Sequence, residues 1–143
     1  MLKTLDPLLG PDLLHALASM GHGDEIAVVD AHFPGASVAR RLVRLDGVGA
    51  VPVLRAVLSL LPLDDFVDTP FATMAVVGRP DEVPEPVREF TALVRDTTGR
   101  PALAAQALDR TDFYARARSA YAVVQTGELR LYGNVLLRKG VHG

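Results

Sequence analysis

With 143 residues the chain is sized for one domain, 1–143, burying roughly 68% of its unfolded surface. Hydrophobic content of 49% against 22% charged excludes a disordered chain, and a net charge of −2 gives nucleic acid or anionic lipid no general attraction. The lack of cysteine excludes disulfides, thiol catalysis and cysteine-held metal centres, and suits a reducing, cytoplasmic setting.

No apolar run is long enough to span a bilayer, and Asp6-Pro7 falls where a signal peptide needs an uninterrupted apolar core. Pro11 opens a predicted helix whose apolar residues Leu13, Leu14, Leu17 and Met20 recur at helical spacing until Gly21 stops it. Residues 25–29 read as a short β-branched strand, and 41–45 as a second that ends at the Asp46-Gly47 turn signal. The pattern from 52 to 61 predicts a helix with a wide apolar stripe closed by Pro62, and 71–77 the next strand. A Pro-rich exposed loop at 78–86 leads into an amphipathic helix over 84–95, with Val87, Phe90, Leu93 and Val94 facing inward. A short polar helix is expected over 112–119. Strands at 120–126 and 135–138 follow, joined through Gly127 and a Tyr132-Gly133-Asn134 turn. The alternation predicts an α/β fold, a single three-layer domain with a mixed, mostly parallel sheet flanked by helices. Leu131, Val135 and Leu137 look exposed and predict burial against a second copy of the chain.

Strand 25–29 is flanked by His22 and Asp24 at its mouth and by Asp30 and His32 at its exit. Carboxyl ends of strands in open α/β sheets are where small ligands bind, which favours a small-molecule site. His22 lies between two glycines, and an ordinary pKa of about 6.5 lets it exchange protons at neutral pH; the plainer reading is a helix-capping imidazole. Asp24 either orients that imidazole or merely begins the strand. Asp30 ends an apolar run, where a carboxylate is seldom placed without a partner, and His32 is a second acid–base candidate or an ordinary loop histidine. His15 and His142 read as surface or structural residues. His22, Asp24, Asp30 and His32 also have the atom types of metal ligands but lack a two-histidine helical spacing, so metal is a distant second reading. With no Gly-x-Gly-x-x-Gly, Walker loop or Gly-x-Ser-x-Gly elbow, neither a nucleotide cofactor nor a serine nucleophile has its residues. Tyr132-Gly133-Asn134 lets a phenol and a carboxamide project from one tight turn, a pairing suited to a sugar's C–H face and hydroxyls, although alone it is an ordinary turn. Arg110 and Tyr114 share a face if their segment is helical, and Asp64 follows the Leu-Pro-Leu after the apolar helix; each is also plausible as a plain surface residue.

Taken in order, Met-Gly-His-Gly-Asp-Glu-Ile at 20–26, Asp-Ala-His-Phe-Pro at 30–34, Arg-x-Asp-Gly at 44–47, Leu-Pro-Leu-Asp at 61–64, Arg-x-x-Phe-Tyr-x-Arg-Ala at 110–117, and Thr-Gly-Glu with Tyr-Gly-Asn at 126–134 resemble the fucose mutarotase family, a relative of the D-ribose pyranases. The resemblance runs over residues 2–141, with 78–108 matching loosely. It implies a cofactor-independent isomerase that interconverts the anomers of a free monosaccharide by acid–base ring opening and closure, with no metal. His22 and Tyr114 match the family's catalytic positions, and Asp30, Asp64, Arg110, Tyr132 and Asn134 its sugar-holding positions; Asp24, read from the residues, is the supporting candidate. Asp-Ala-His-Phe-Pro and Tyr-Gly-Asn are closer to the fucose branch than to the ribose branch, so L-fucose is the expected sugar. The alternatives are D-ribose pyranase-type activity and a non-catalytic sugar-binding or regulatory module. The resemblance also implies a homo-oligomer, ring-shaped decamers being the bacterial form, with sites close to subunit contacts.

Overall fold

A computed structural model describes residues 1–143. Six strands, β1 (Glu25–Val29), β2 (Leu42–Leu45), β3 (Phe71–Met74), β4 (Gln106–Leu108), β5 (Ala122–Thr126) and β6 (Val135–Arg138), form one sheet in the order β2-β5-β1-β6-β3-β4. Five helices accompany them: α1 (Pro11–Ser19), α2 (Gly35–Val38), α3 (Ala50–Leu58), α4 (Glu85–Thr98) and α5 (Arg110–Ser119). The period-two alternation of the strands divides the apolar side chains between two faces. On one, Ile26, Val28, Phe71, Val124 and Leu137 pack under α1, α3 and α4; on the other, Ala27, Val29, Ala72, Val123 and Leu136 pack under α2 and α5. Central strands covered on both faces are apolar throughout, which is why β1 reads as an unbroken run, Ile-Ala-Val-Val.

The connection between β5 and β6 places the Tyr132-Gly133-Asn134 turn. β5 lies parallel to β1 on one side of it, and β6 lies antiparallel to β1 on the other. A parallel return would need a crossover of a dozen or more residues, about a helix's worth, and the short loop at 127–134 holds none. It therefore passes over the carboxyl end of β1, and β6 comes back antiparallel. Tyr132 is held there at φ 63°, a left-handed conformation uncommon for a residue other than glycine.

Several boundaries depart from the sequence expectations. The helix expected over 52–61 begins at Ala50, with Pro52 tolerated in its first turn, and ends at Leu58. The strand expected over 71–77 stops at Met74, where the chain turns through a Val76–Arg79 bridge. α5 starts two residues earlier than expected because the Asp109 side chain accepts the Asp112 N–H and caps it. α2 and β4 are too short for periodicity to register. Val135 and Leu137 are fully buried within this chain's own sheet, whereas Leu131 is 65% exposed, so only Leu131 of that trio is free for a partner. No helix is long and apolar enough to cross a membrane.

Candidate active site

Residues from the carboxyl ends of the parallel strands and the amino end of β6 enclose a cavity of about 230 Å³. That is below the range of about 300–1,000 Å³ that suits drug-sized ligands, and fits a smaller one. Asp30 follows β1, Val77 lies past β3, Arg110 and Tyr114 stand on the first turns of α5, and Tyr132 and Asn134 come from the 127–134 loop. His32, Phe33, Met74 and Leu131 complete the lining.

Two buried groups form its polar floor. Asn134 Oδ1 accepts the Asp30 N–H at 2.9 Å while Asn134 Nδ2 donates to Asp30 Oδ2 at 3.2 Å, and Asp30 Oδ1 accepts the His32 N–H at 3.0 Å. Burial pushes the Asp30 carboxyl above its ordinary range, outweighing these hydrogen bonds and the nearby His32. Gln125 fixes the turn from behind by donating to the Asp30 carbonyl at 2.6 Å and accepting the Gly35 N–H at 3.2 Å. A Cβ on Gly35 would meet Gln125 Oε1 at 2.2 Å, so the contact requires glycine there.

The walls are aromatic. Tyr114 lies between the Phe33 ring, 4.9 Å between centroids, and the Arg110 guanidinium, 5.2 Å from the Tyr114 centroid. The Tyr132 hydroxyl accepts the Val77 N–H at 3.1 Å, which ties the 127–134 loop to the chain beyond β3.

His22 and Asp64 lie elsewhere. They occupy the opposite end of the sheet, before the amino end of β1, and β1 alone separates the two ends by on the order of 15 Å. There His22 Nε2 approaches Asp64 Oδ1 at 3.2 Å, and Arg138 Nε donates to Asp64 Oδ2 at 2.8 Å. Asp64 is 1% exposed; burial would raise its carboxyl, but the Phe66 N–H, Arg138 and His22 together hold it below its ordinary value. A carboxylate can only accept, so Nε2 carries the proton in this contact. The Phe66 ring, 69% exposed, leans on the imidazole at 5.1 Å between centroids.

Of the residues named from sequence, the structure thus gathers Asp30, Arg110, Tyr114, Tyr132 and Asn134 in one pocket and leaves His22 and Asp64 at the far end. Asp24 is not the partner of the imidazole: its Oδ2 accepts the Gly21 N–H at 2.7 Å, and Asp64 takes the place expected for it. Arg138 and Gln125 carried no local signal, because each meets its partner only through strand pairing. The four residues weighed as metal ligands are divided between the two ends. A wider depression of about 380 Å³ near Leu61, Arg100 and His142 brings together no buried polar side chains.

Comparison with known proteins agrees with this picture. Residues 3–142 match the model of the RbsD / FucU transport protein family. The chain is 47% identical to the fucose mutarotase of Homo sapiens over 98% of its own length and 94% of that protein. It superimposes with a TM-score of 0.92 on the crystal structure of the fucose mutarotase from Streptococcus pneumoniae in complex with L-fucose, at 42% identity and covering 99% and 100% of the two chains. Bacillus subtilis RbsD, complexed with D-ribose, shares the fold at a TM-score of 0.72 and 20% identity, each chain covered in full.

Proposed function

This chain belongs to the RbsD / FucU transport protein family, and we propose that it interconverts the α and β anomers of L-fucose. The observation that carries the reading is the pocket: a monosaccharide-sized cavity with a buried carboxylate–carboxamide floor and aromatic walls, in a chain similar over its whole length to a protein crystallised with L-fucose.

The reaction needs little from the protein. A proton leaves the anomeric hydroxyl, another reaches the ring oxygen, the ring C–O bond breaks to give the aldehyde, and the aldehyde turns and recloses on its other face. Positioned acid–base groups contribute about 10²–10⁴-fold, enough for a reaction that already proceeds in water. Asp30, Asn134, Arg110 and Tyr132 hold the non-reacting hydroxyls, and Tyr114 lies against the reacting centre. An epimer leaves buried polar groups unpaired, which is how the floor selects among sugars.

His22 supplies the other proton transfer, and it does so to the pocket of a second copy. Both ends of β1 cannot reach one sugar, so a complete site requires His22 of one chain at the carboxyl-end pocket of another. The exposed Phe66 beside His22 and the exposed Val77, Leu129 and Leu131 at the pocket end are apolar surfaces suited to that contact. Side-by-side antiparallel pairing gives a two-fold dimer, head-to-tail pairing a closed ring, and the bacterial ring architecture is the form we favour. Asp64 in this arrangement holds His22 and does not bind sugar directly.

Saturation-transfer proton NMR tests the activity. Irradiating one anomeric signal of equilibrated L-fucose should attenuate the other only when protein is present, with D-ribose responding less. Binding without transfer would leave a sugar-binding module and overturn the catalytic reading.

A further inference from the structure

Glu128, 8% exposed, is an ionisable side chain in the interior with no part in the chemistry above. It belongs to the Thr126-Gly127-Glu128 sequence that begins the loop over β1, and it touches three pieces of chain at once. Its carbonyl accepts the Ala31 N–H at 2.8 Å, one residue beyond Asp30. Its Oε1 accepts the Ala50 N–H at the start of α3 at 3.4 Å. Its carboxylate accepts Arg130 Nε at 3.1 Å and Arg130 Nη2 at 3.0 Å, and Arg130 in turn pairs with Glu89 and Glu85 on α4. The Arg130 guanidinium outweighs burial and keeps the Glu128 carboxyl below its ordinary range, so the pair persists at neutral pH. Gly133 fills a slot between Glu128 and Asp30: a Cβ there would lie 2.8 Å from Glu128 Cγ and 3.4 Å from Asp30 Cβ.

We propose that Glu128, braced by Arg130, is a positioning residue for the sugar pocket, setting the distance between the Asp30 turn and the 132–134 turn. This rests on the reading of that pocket as the sugar site. The chain of contact is short. Glu128 backs Gly133, Gly133 precedes Asn134, and Asn134 places both of its polar atoms on Asp30. A movement of Glu128 therefore misaligns the carboxylate–carboxamide floor without removing any group that touches sugar.

The test is Glu128→Gln in the full chain, compared with wild type well below the melting temperature of either. L-fucose should bind about tenfold more weakly to the folded variant, within what displacing contact groups by about an ångström produces. The loss should appear in KM more than in kcat. In sugar-free protein the Asn134 side-chain amide resonances should shift. Glu128→Gln should add little to Asn134→Ala, because both act through one contact. Arg130→Met, which keeps the Glu128 packing on Gly133, should reproduce a smaller effect that Arg130→Lys partly restores, and it serves if Glu128→Gln does not fold. A variant that melts earlier with unchanged affinity and unchanged Asn134 resonances overturns the proposal. Wild type that fails to bind L-fucose overturns the functional reading instead, and the Asn134 resonances still decide the positioning of the floor.

Discussion

If the acid–base histidine and the pocket come from different chains, two inactive variants should restore each other. His22→Ala removes the histidine but leaves the pocket intact, and Tyr114→Phe removes only the phenolic hydroxyl from the pocket while keeping the ring packed on Phe33. Each alone should lower kcat/KM about 10²–10⁴-fold, the usual contribution of a positioned acid–base group. After equal amounts are mixed and allowed to reassort, half the pockets and half the histidines are intact, so about a quarter of the pairings hold both. Activity should therefore climb from near background to about a quarter of the wild-type value, far above the sum of the parents. The assay is anomer exchange of L-fucose by saturation transfer, with native mass spectrometry on differently tagged variants to establish that subunits have exchanged. Verified mixed oligomers no more active than their parents would refute the split site and return attention to groups within one pocket, His32 and Asp30 first. A monomer by light scattering that retains full exchange activity would refute it equally.

Asp64→Asn should slow exchange by about 10–100-fold through loss of the tautomer-fixing acceptor, while L-fucose affinity stays close to wild type. Because Asp64 titrates below its ordinary 3.8 when folded, its contribution to stability is present above that value and lost as pH falls through the folded value. The variant should therefore be about 1–2 kcal/mol less stable at neutral pH, with the gap closing in acid, as denaturant titrations at several pH values will show. Asp30 behaves oppositely: its folded value is raised, so ionising it costs stability as pH rises from 3.8 through that value. The acid limb of kcat/KM should lie above the ordinary carboxylate range, since protonated Asp30 loses an acceptor, and an acid limb unchanged in Asp30→Asn would dismiss this role. Gly133→Ala must displace Glu128, whose Cγ the new Cβ would meet at 2.8 Å, and should cost roughly 1–3 kcal/mol together with sugar affinity, measurable by urea unfolding and NMR titration.

The order and type of the longer elements, the exact extents of β1 and β6 and the three-layer architecture were legible in the sequence, as were most pocket residues. Hydrophobic periodicity, a helix-opening proline and turn glycines are local preferences for leaving water or for particular dihedrals, and they act within a few residues. Ionisable residues stood out on both sides of β1 because they interrupt an apolar run. What the sequence left open was who meets whom. His22 and Asp64 are 42 residues apart and Asp30 and Asn134 are 104 apart, so neither pair has a local signature. Of the two readings of Asp24, the imidazole-orienting one therefore gives way to Asp64. Only the tertiary structure decided these pairings, because the short 127–134 loop forces β6 to return antiparallel beside β1. That return carries Asn134 to the pocket end and Arg138 to the histidine end.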